Sequence, residues 1–478
     1  MDWQQQTLGG RGEQHVGVGI DFGTTNSAAA VYDGQSMLLI QLESDSAIMP
    51  SATYIDRDLQ TLTGQAAIDA YIADNTGRTV EMIPEVIGTS SVMVGNADPE
   101  SRAPLEMLTK RVYGLPLTDA GLQGRLFRGT KRLLGDPNVR RLMVFEHPFR
   151  LVALITPLLL HIRRCIEAAG VSARAAHLGH PVHFEGRDPH RDKLAQARLA
   201  EAYGHAGIKD RHFYPEPVAA THSYLHANPD LGASHVLCVD FGGGTLDFSI
   251  LERESGRFRV LATHGLALGG DHIDQRLFRE LLFPLLGKGE RWRRPGVDRA
   301  VIETPFPFED YEDLLLNWAV SYTLNQNRYT TAVMDCIDQG GPAAVKFRRL
   351  HELIKQNYSY LVFQSIRDLK AQLSEQDSAV LDIPEIDVEI EVTRERFEAL
   401  ITDQLKQFSA GVDQTLDNAG LRADAIELVV RTGGSSLIPA VRRILDTRFP
   451  GRVMEHDPFT SVAAGLALAA YDGYQYSG

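Results

Sequence analysis

Two stretches of the chain carry the same succession of apolar and polar positions. VGVGI at 16–20 runs into DFGTTNS at 21–27 and then AAAVY at 28–32, while HVLCV at 235–239 runs into DFGGGTLD at 240–247 and then FSILE at 248–252. Short apolar runs separated by an acidic, glycine-rich segment predict a strand, a tight turn and a second strand. From about residue 150 the order is helix (LLLHIRRCIEAAG), strand (AAHLGHPVHF), helix (RDKLAQARLAEAYGHAG), strand (HFYPEP) and helix (VAATHSYLH). That alternation predicts an α/β fold with parallel strands. Upstream, RLFRGTKRLLGDP reads as a helix closed by Gly135 and stopped by Pro137, and EVIGTSSVMVGNADPESRAP reads as a loop. Downstream, a helical region is expected from 274 to 375. After it come the alternating strand IDVEIEVT, one helix RERFEALITDQLKQFSAGVDQTLDNAG, the strand ELVVRTGG and a final small-residue helix TSVAAGLALAAYD. HANPDLGAS at 226–234 is rich in Asn, Pro and Gly and sets the boundary between two lobes just before the second hairpin.

Composition narrows what such a fold could do. A chain of 478 residues, 44% hydrophobic, can build more than one core. The formal net charge of −14 opposes a general role on nucleic acid or an anionic membrane, since both would repel it. Only Cys165, Cys238 and Cys336 occur, without a CxxC pair, so neither a disulfide scaffold nor a zinc site is indicated and a reducing compartment fits. The N-terminus lacks an apolar core of signal-peptide length, and LVALITPLLLHI at 151–162 is too short to span a bilayer. These features predict a cytoplasmic protein with a flexible tail over 1–14.

The repeated hairpin suggests phosphate chemistry. An Asp at the end of a buried strand fixes a carboxylate, and glycines let successive N–H groups converge on one anion. Asp21 and Asp240 are the candidate metal-site carboxylates. The hydroxyls of Thr24, Thr25, Ser27 and Thr245 are candidate donors, and two such hairpins could hold one polyphosphate and its metal ion between them. Competing motifs fail. GVGIDFG has the spacing GxGxxxG with its first glycines inside the strand, not at a helix start. His190, Arg191 and Asp192 spell HRD, but Ala197 stands where a kinase catalytic loop needs asparagine.

VGIDFGTTNS, VDFGGGTLD, LALGGDHID at 266–274 and VVRTGGSSLIPAVRRIL at 429–445 together resemble the phosphate and adenosine motifs of the actin-like ATPase superfamily. Within it, the chain resembles the ATPase domain of the seventy-kilodalton heat-shock chaperones, especially a shorter bacterial YegD-like branch, over residues 15–472. The resemblance implies a two-lobed, actin-like (ribonuclease H-like) α/β fold with a duplicated core. Lobe I would span 15–230 and lobe II 231–455, with a helical subdomain at 275–375 inserted in lobe II; a helix within 456–478 would return to lobe I. It implies ATP or ADP with magnesium, held largely through water by Asp21 and Asp240. Gly23, Thr24, Thr25 and Asn26 would form one phosphate loop, and Gly242, Gly243, Gly244 and Thr245 the other, with Asp247 ordering the site. Lys131 would contact the γ-phosphate and attacking water, and Glu216 would shape the catalytic centre. Gly269, Gly270, Asp271, Lys370, Ser374, Gly433, Gly434 and Ser435 would surround the nucleoside.

The chain departs from the family at the base. Ala371 and Leu437 stand where the chaperones place two arginines around adenine, and the glutamate expected near Asp368 is either shifted or replaced by Arg367. Each lost cation–π contact forfeits about 0.5 to 2 kcal/mol. The resemblance also leads to the expectation that the linker and peptide-binding domain of the chaperones are missing. The function implied is an ATP-hydrolysing, chaperone-like switch acting through a protein partner, with the lobe II helical region as the partner surface. The alternative is a nucleotide-sensing scaffold with little turnover, and a sugar kinase of the same superfamily ranks third.

Overall fold

The computed structural model describes residues 15–94, 106–182, 184, 189–254, 257–295, 301–457 and 459–474. The expected tail over 1–14 lies outside them. Contacts divide the chain into two compact units: one formed by Met1–Ala73, Gly124–Phe283 and Leu361–Gly478, the other by Asp74–Gln123 and Pro284–Tyr360.

The first unit holds two sheets of the same design. In one, strand Gly17–Phe22 pairs antiparallel with Asn26–Tyr32, which pairs antiparallel with Met37–Leu39; on its other side lie Ala175–His180 and then Asp210–Pro215, both parallel. In the other, His235–Phe241 pairs antiparallel with Leu246–Glu254 and that strand with Arg257–Leu266, while Leu428–Thr432 and Val453–Glu455 follow in parallel. Strand order and sense therefore match across the two sheets, and each contains one acid–glycine hairpin. Helices supply the crossovers that parallel neighbours need: Leu151–Ala168 and Pro189–His205 in the first half, Thr402–Ala419 and Pro439–Arg448 in the second. Strand residues such as Val18, Ile20, Val236 and Val239 are fully buried, which explains apolar runs without clean alternation.

Each sheet's last parallel strand leads to one further helix, Glu216–Ala227 or Ser461–Tyr471. These two helices pack together, and Ser461–Tyr471 also lies on strand Gly17–Phe22. A Cβ on Gly465 would land on the carbonyl of Ala219, and a Cβ on Gly19 would land on the carbonyl of Ala463. The glycines of VGVGI and the small residues of TSVAAGLALAAYD are thus two sides of one close approach.

The second unit contains hairpin Met82–Val94 with Glu106–Asp119, hairpin Arg291–Pro295 with Val301–Pro305, and helices Glu309–Leu315, Asn327–Asp338 and Ala344–Lys355. Phe306 packs edge-on against Phe347, ring centroids 4.8 Å apart. Arg78 pairs with the nearly buried Asp119 at 2.6 Å.

Several sequence expectations are corrected. The expected loop over 85–104 is strand as far as Val94 and lies outside the described residues over 95–104, because β-branched Val86, Ile87, Thr89, Val92 and Val94 outweigh the intervening Gly and Ser. The helical region 274–375 is interrupted by the hairpin 291–305, whose strands are flanked by prolines and pinned by an Arg291–Glu303 contact at 3.0 Å. RLFRGTKRLLGDP forms strand Gly124–Arg128 and only a 3-10 turn, Thr130–Leu133, because Gly129 at φ 64° breaks the backbone between them. The helix expected over 394–420 divides at Ile401 into Arg394–Leu400 and Thr402–Ala419. The strand expected to reach Phe184 stops at His180, before Pro181. Among the described residues, no helix is long and apolar enough to cross a membrane.

Because backbone atoms of Ala219 occupy the space a side chain at 465 needs, Gly465→Val is expected to destabilise the protein by about 1–3 kcal/mol or more, the usual range for overpacking. Equilibrium urea unfolding measures it, and an unchanged midpoint would contradict this packing.

Candidate functional site

The turn between Gly17–Phe22 and Asn26–Tyr32 is tied down by Ser51, which lies between strands Ile48–Pro50 and Ala52–Asp56. Ser51 N–H donates to Thr25 O at 2.8 Å, and Ser51 Oγ donates to Gly23 O at 2.8 Å. In a planar trans peptide the next residue's N–H points opposite the carbonyl. Holding the Gly23 and Thr25 carbonyls toward Ser51 therefore turns the N–H groups of Thr24 and Asn26 the other way. Ser27 was expected to offer a hydroxyl to phosphate, but it is buried and its Oγ lies 2.9 Å from Ser51 Oγ; strand alternation points it into the protein.

The second turn uses the same device with a different anchor. Gly242 N–H donates to Thr245 O at 3.0 Å, closing the turn. The carbonyls of Gly242 and Gly243 accept the N–H groups of Gly270 and Asp271, at 3.0 and 2.7 Å, from the start of helix Gly270–Leu277. The N–H groups of Gly243 and Gly244 consequently face away from that helix. The two turns meet: Thr25 Oγ1 lies 3.0 Å from the point a Cβ on Gly243 would occupy. Convergent backbone N–H groups make an anion-binding concavity.

Acidic side chains flank it. Asp240 stands directly opposite Asp247 in the hairpin register, whereas the equivalent partner of Asp21 is Ala28. Burial, then Glu216, pushes the Asp21 carboxyl up to about 7, with Lys131 pulling the other way. Burial, then Asp247, Glu216 and Asp21, pushes Asp240 up to about 8. Asp21 Oδ1 is buried with no hydrogen-bond partner among the described residues. Gly179, on the parallel strand beside Asp21, leaves the space that Asp21 and Glu216 share.

Lys131 reaches this cluster from the 3-10 turn and bonds Glu216 Oε1 at 2.7 Å, its side chain only 6% exposed. Burial lowers its proton affinity, but Glu216, Asp21 and Asp240 outweigh burial, so the net shift is upward and the ammonium is kept. Glu216 opens helix Glu216–Ala227, where the helix dipole favours a carboxylate. Arg132, the next residue after Lys131, places a guanidinium nitrogen against Gly244.

A second set of residues continues from the Gly242 carbonyl. Ser435 Oγ donates to Gly242 O at 3.4 Å, and Lys370 Nζ donates to Gly270 O at 3.4 Å and to buried Asp274 at 2.6 Å. Gly433, at φ 81°, sits where a Cβ would lie 2.6 Å from Asp240 Oδ1, so only glycine fits the turn there.

The structure thus brings together Asp21, Asp240, Asp247, Lys131, Glu216, Gly23–Asn26, Gly242–Thr245, Gly269–Asp271, Lys370 and Gly433–Ser435. Asn26 and Asp271 have exposed side chains, and the hydroxyl of Ser374 turns back to Lys370 O at 3.0 Å. Ala371 is exposed on its helix and Leu437 is half-buried. Sequence reading missed Ser51, Arg132 and Asp274. It also missed His180, whose Nδ1 lies 2.7 Å from Pro181 O and whose charge burial suppresses, and Tyr203, a fully buried phenol raised by burial and by Asp21 and Glu216. The adjacency of Arg132 to Lys131 was the one available signal.

The acids and donors suit a magnesium-bound polyphosphate. Among the described residues no group of three or more His, Cys, Asp or Glu could hold a metal ion unaided, so a cation here would need the phosphates and water as further ligands. The unpartnered Asp21 oxygen and the raised Asp21 and Asp240 carboxyls mark where its charge would be stabilising.

Comparison with known proteins points to one family. The family model described as Hsp70 protein matches residues 17–113, 189–285 and 355–471. Similar curated proteins include the heat shock 70 kDa protein BIP3 of Oryza sativa subsp. japonica, 26% identical over 460 residues, covering 95% of this chain and 56% of that protein. The chaperone protein HscA homologs of Aromatoleum aromaticum and Histophilus somni are 26% and 27% identical, covering 96% of this chain and 58% of each relative. The chain therefore spans little more than half the length of these relatives. With both hairpin turns and the matched stretches in place, the chain belongs to the Hsp70 family and has that family's actin-like ATPase fold.

Proposed function

We propose that this chain binds ATP with magnesium at the joined hairpin turns, hydrolyses it slowly, and conveys its nucleotide state to a protein partner as a chaperone ATPase. The observation that carries the reading is the pair of turns whose carbonyls are tied back, so that backbone N–H groups converge beside two half-buried aspartates. The names of the similar proteins, a heat shock protein and HscA chaperone homologs, support the chaperone assignment.

In this reading the N–H groups of Thr24, Gly243 and Gly244 and the hydroxyls of Thr24, Thr25 and Thr245 bind phosphate oxygens. Asp21 and Asp240 hold the magnesium ion, which neutralises charge on the phosphates. Lys131, fixed by Glu216, places its ammonium at the terminal phosphoryl group and orients the attacking water, where charge develops in the transition state. Asp247 keeps Asp240 in register. Phosphate and metal contacts supply most of the affinity, since Ala371 and Leu437 offer the base neither cation nor donor.

Asp21→Asn and Asp240→Asn are each expected to weaken magnesium-dependent ATP binding by about tenfold or more, since each removes a charge that positions the ion. Calorimetric titration with and without magnesium measures it, and unchanged magnesium dependence in both variants would refute the metal assignment.

Lys131→Ala is expected to lower single-turnover hydrolysis by about 100-fold to 1,000-fold while shifting ATP affinity far less, the pattern of a contact that strengthens in the transition state. Glu216→Gln should fall in the same direction but less. Full hydrolysis by Lys131→Ala would return Lys131 to a structural ion pair.

The raised carboxyls also make a stability prediction. Asp21 and Asp240 bind protons more tightly in the fold, at about 7 and 8, than in the unfolded chain near 4. The folded state therefore holds more protons across that window, and ligand-free stability should fall as pH rises from about 5 to 8. Asp240→Asn should flatten that fall and raise the ligand-free melting temperature at pH 8, while magnesium-ATP affinity of the unaltered protein climbs over the same range. A melting temperature of Asp240→Asn at or below that of the unaltered protein at pH 8 would contradict it.

A further inference from the structure

We infer that Phe459 is the stacking platform for the nucleotide base, an inference that rests on the ATP-binding reading above. The site has a direction. One flank of the paired turns is taken by charged groups, Lys131 paired with Glu216 beside Asp21. On the other flank the contacts run from Gly242 to Gly270, Ser435 and Lys370, and then to Gly434, the neighbour of Ser435. A polyphosphate whose terminal phosphoryl group sits at Lys131 directs its nucleoside along that second flank.

Phe459 stands at its end. Its ring edge, Cζ and Cε1, lies 3.1 and 3.2 Å from the point a Cβ on Gly434 would occupy, so the ring rests on bare backbone. It is 47% exposed and is the only exposed phenylalanine among the described residues; the others are buried or half-buried. Its backbone N–H is hydrogen-bonded. Asp457 Oδ1 accepts the N–H groups of Phe459 and Thr460 at 2.9 and 2.8 Å, and Thr432 Oγ1 donates to Asp457 O at 3.3 Å. Asp457 is thereby fastened to the strand that leads into Gly433. An apolar ring presented to water on a hydrogen-bonded backbone is preorganised for a flat partner, because little ordering remains to be done when the partner arrives. A base meets that requirement, and stacking needs neither the cations nor the donors that Ala371 and Leu437 lack. Since every base has a π-face, such a platform accepts adenine and guanine alike.

The test compares magnesium-ATP, magnesium-GTP and magnesium-tripolyphosphate, the last lacking a nucleoside, by titration against the full chain and its Phe459→Ala and Phe459→Tyr variants. Phe459→Ala should weaken ATP and GTP by about tenfold, within the usual range for removing a base-stacking ring, and leave tripolyphosphate unchanged; Phe459→Tyr should bind all three like the unaltered protein. If Phe459→Ala binds ATP normally, the inference fails while the ATP-binding reading stands. Equal weakening of all three ligands would overturn it too, assigning the ring to support of the Gly433–Gly434 turn. If the unaltered chain binds neither ATP nor tripolyphosphate, the functional reading fails and takes this inference with it.

Discussion

The planarity of the peptide bond is the constraint on which the site depends. A carbonyl fixed on one side of a trans peptide commits the following N–H to the other side. In the first turn the fixing is done by Ser51, through its N–H and its hydroxyl; in the second it is done by the first N–H groups of helix Gly270–Leu277. Those helix N–H groups would otherwise lack intrahelical partners. Satisfying them with loop carbonyls serves the helix and the turn at once. The second turn needs no side chain to create its row of donors, which is why glycines can dominate DFGGGTLD without loss.

The second constraint is charge. Asp21, Asp240 and Glu216 crowd around one deeply buried ammonium, Lys131, with Asp247 opposite Asp240, and the fold tolerates the excess by raising the proton affinity of two carboxyls. A buried ion pair such as Lys131–Glu216 adds little net stability once its desolvation is counted. Its value lies in placement, since breaking either partner would leave the other charged and unpaired. Stability given up for placement is the usual mark of a working site.

Much of this was legible in the sequence because it is local. Strand, acidic turn and strand follow from adjacent residues, and the repeat of that pattern pointed to a duplicated core before any sheet order was known. What was hidden is mainly non-local. Ser51 sits in MPSATYI, an unremarkable run, and matters only because the fold sets it beside Gly23 and Thr25. Asp274 looks like any helix carboxylate until Lys370 arrives from a distant helix. Ser27 failed as a donor because one step along a strand reverses the face a side chain occupies. The GTKRLLG segment was misread as helix because its apolar spacing suits one, while the left-handed backbone at Gly129 allows only a single tight turn before Leu134. That turn brings both Lys131 and Arg132 to the site, so the error in secondary structure concealed a second cation.

The unequal hairpins have a consequence for geometry. Two sheets of matching strand order would, if their turns were identical, give a cleft with near-twofold symmetry, and a chain of like phosphates could lie in it either way round. Asp240 faces Asp247 where Asp21 faces Ala28, and the first half contributes Lys131 from a neighbouring turn. Those two differences remove the degeneracy. The fold's internal repetition supplies two like halves, and its broken repetition supplies an arrow, so that a molecule with two unlike ends would have one way to lie on the turns.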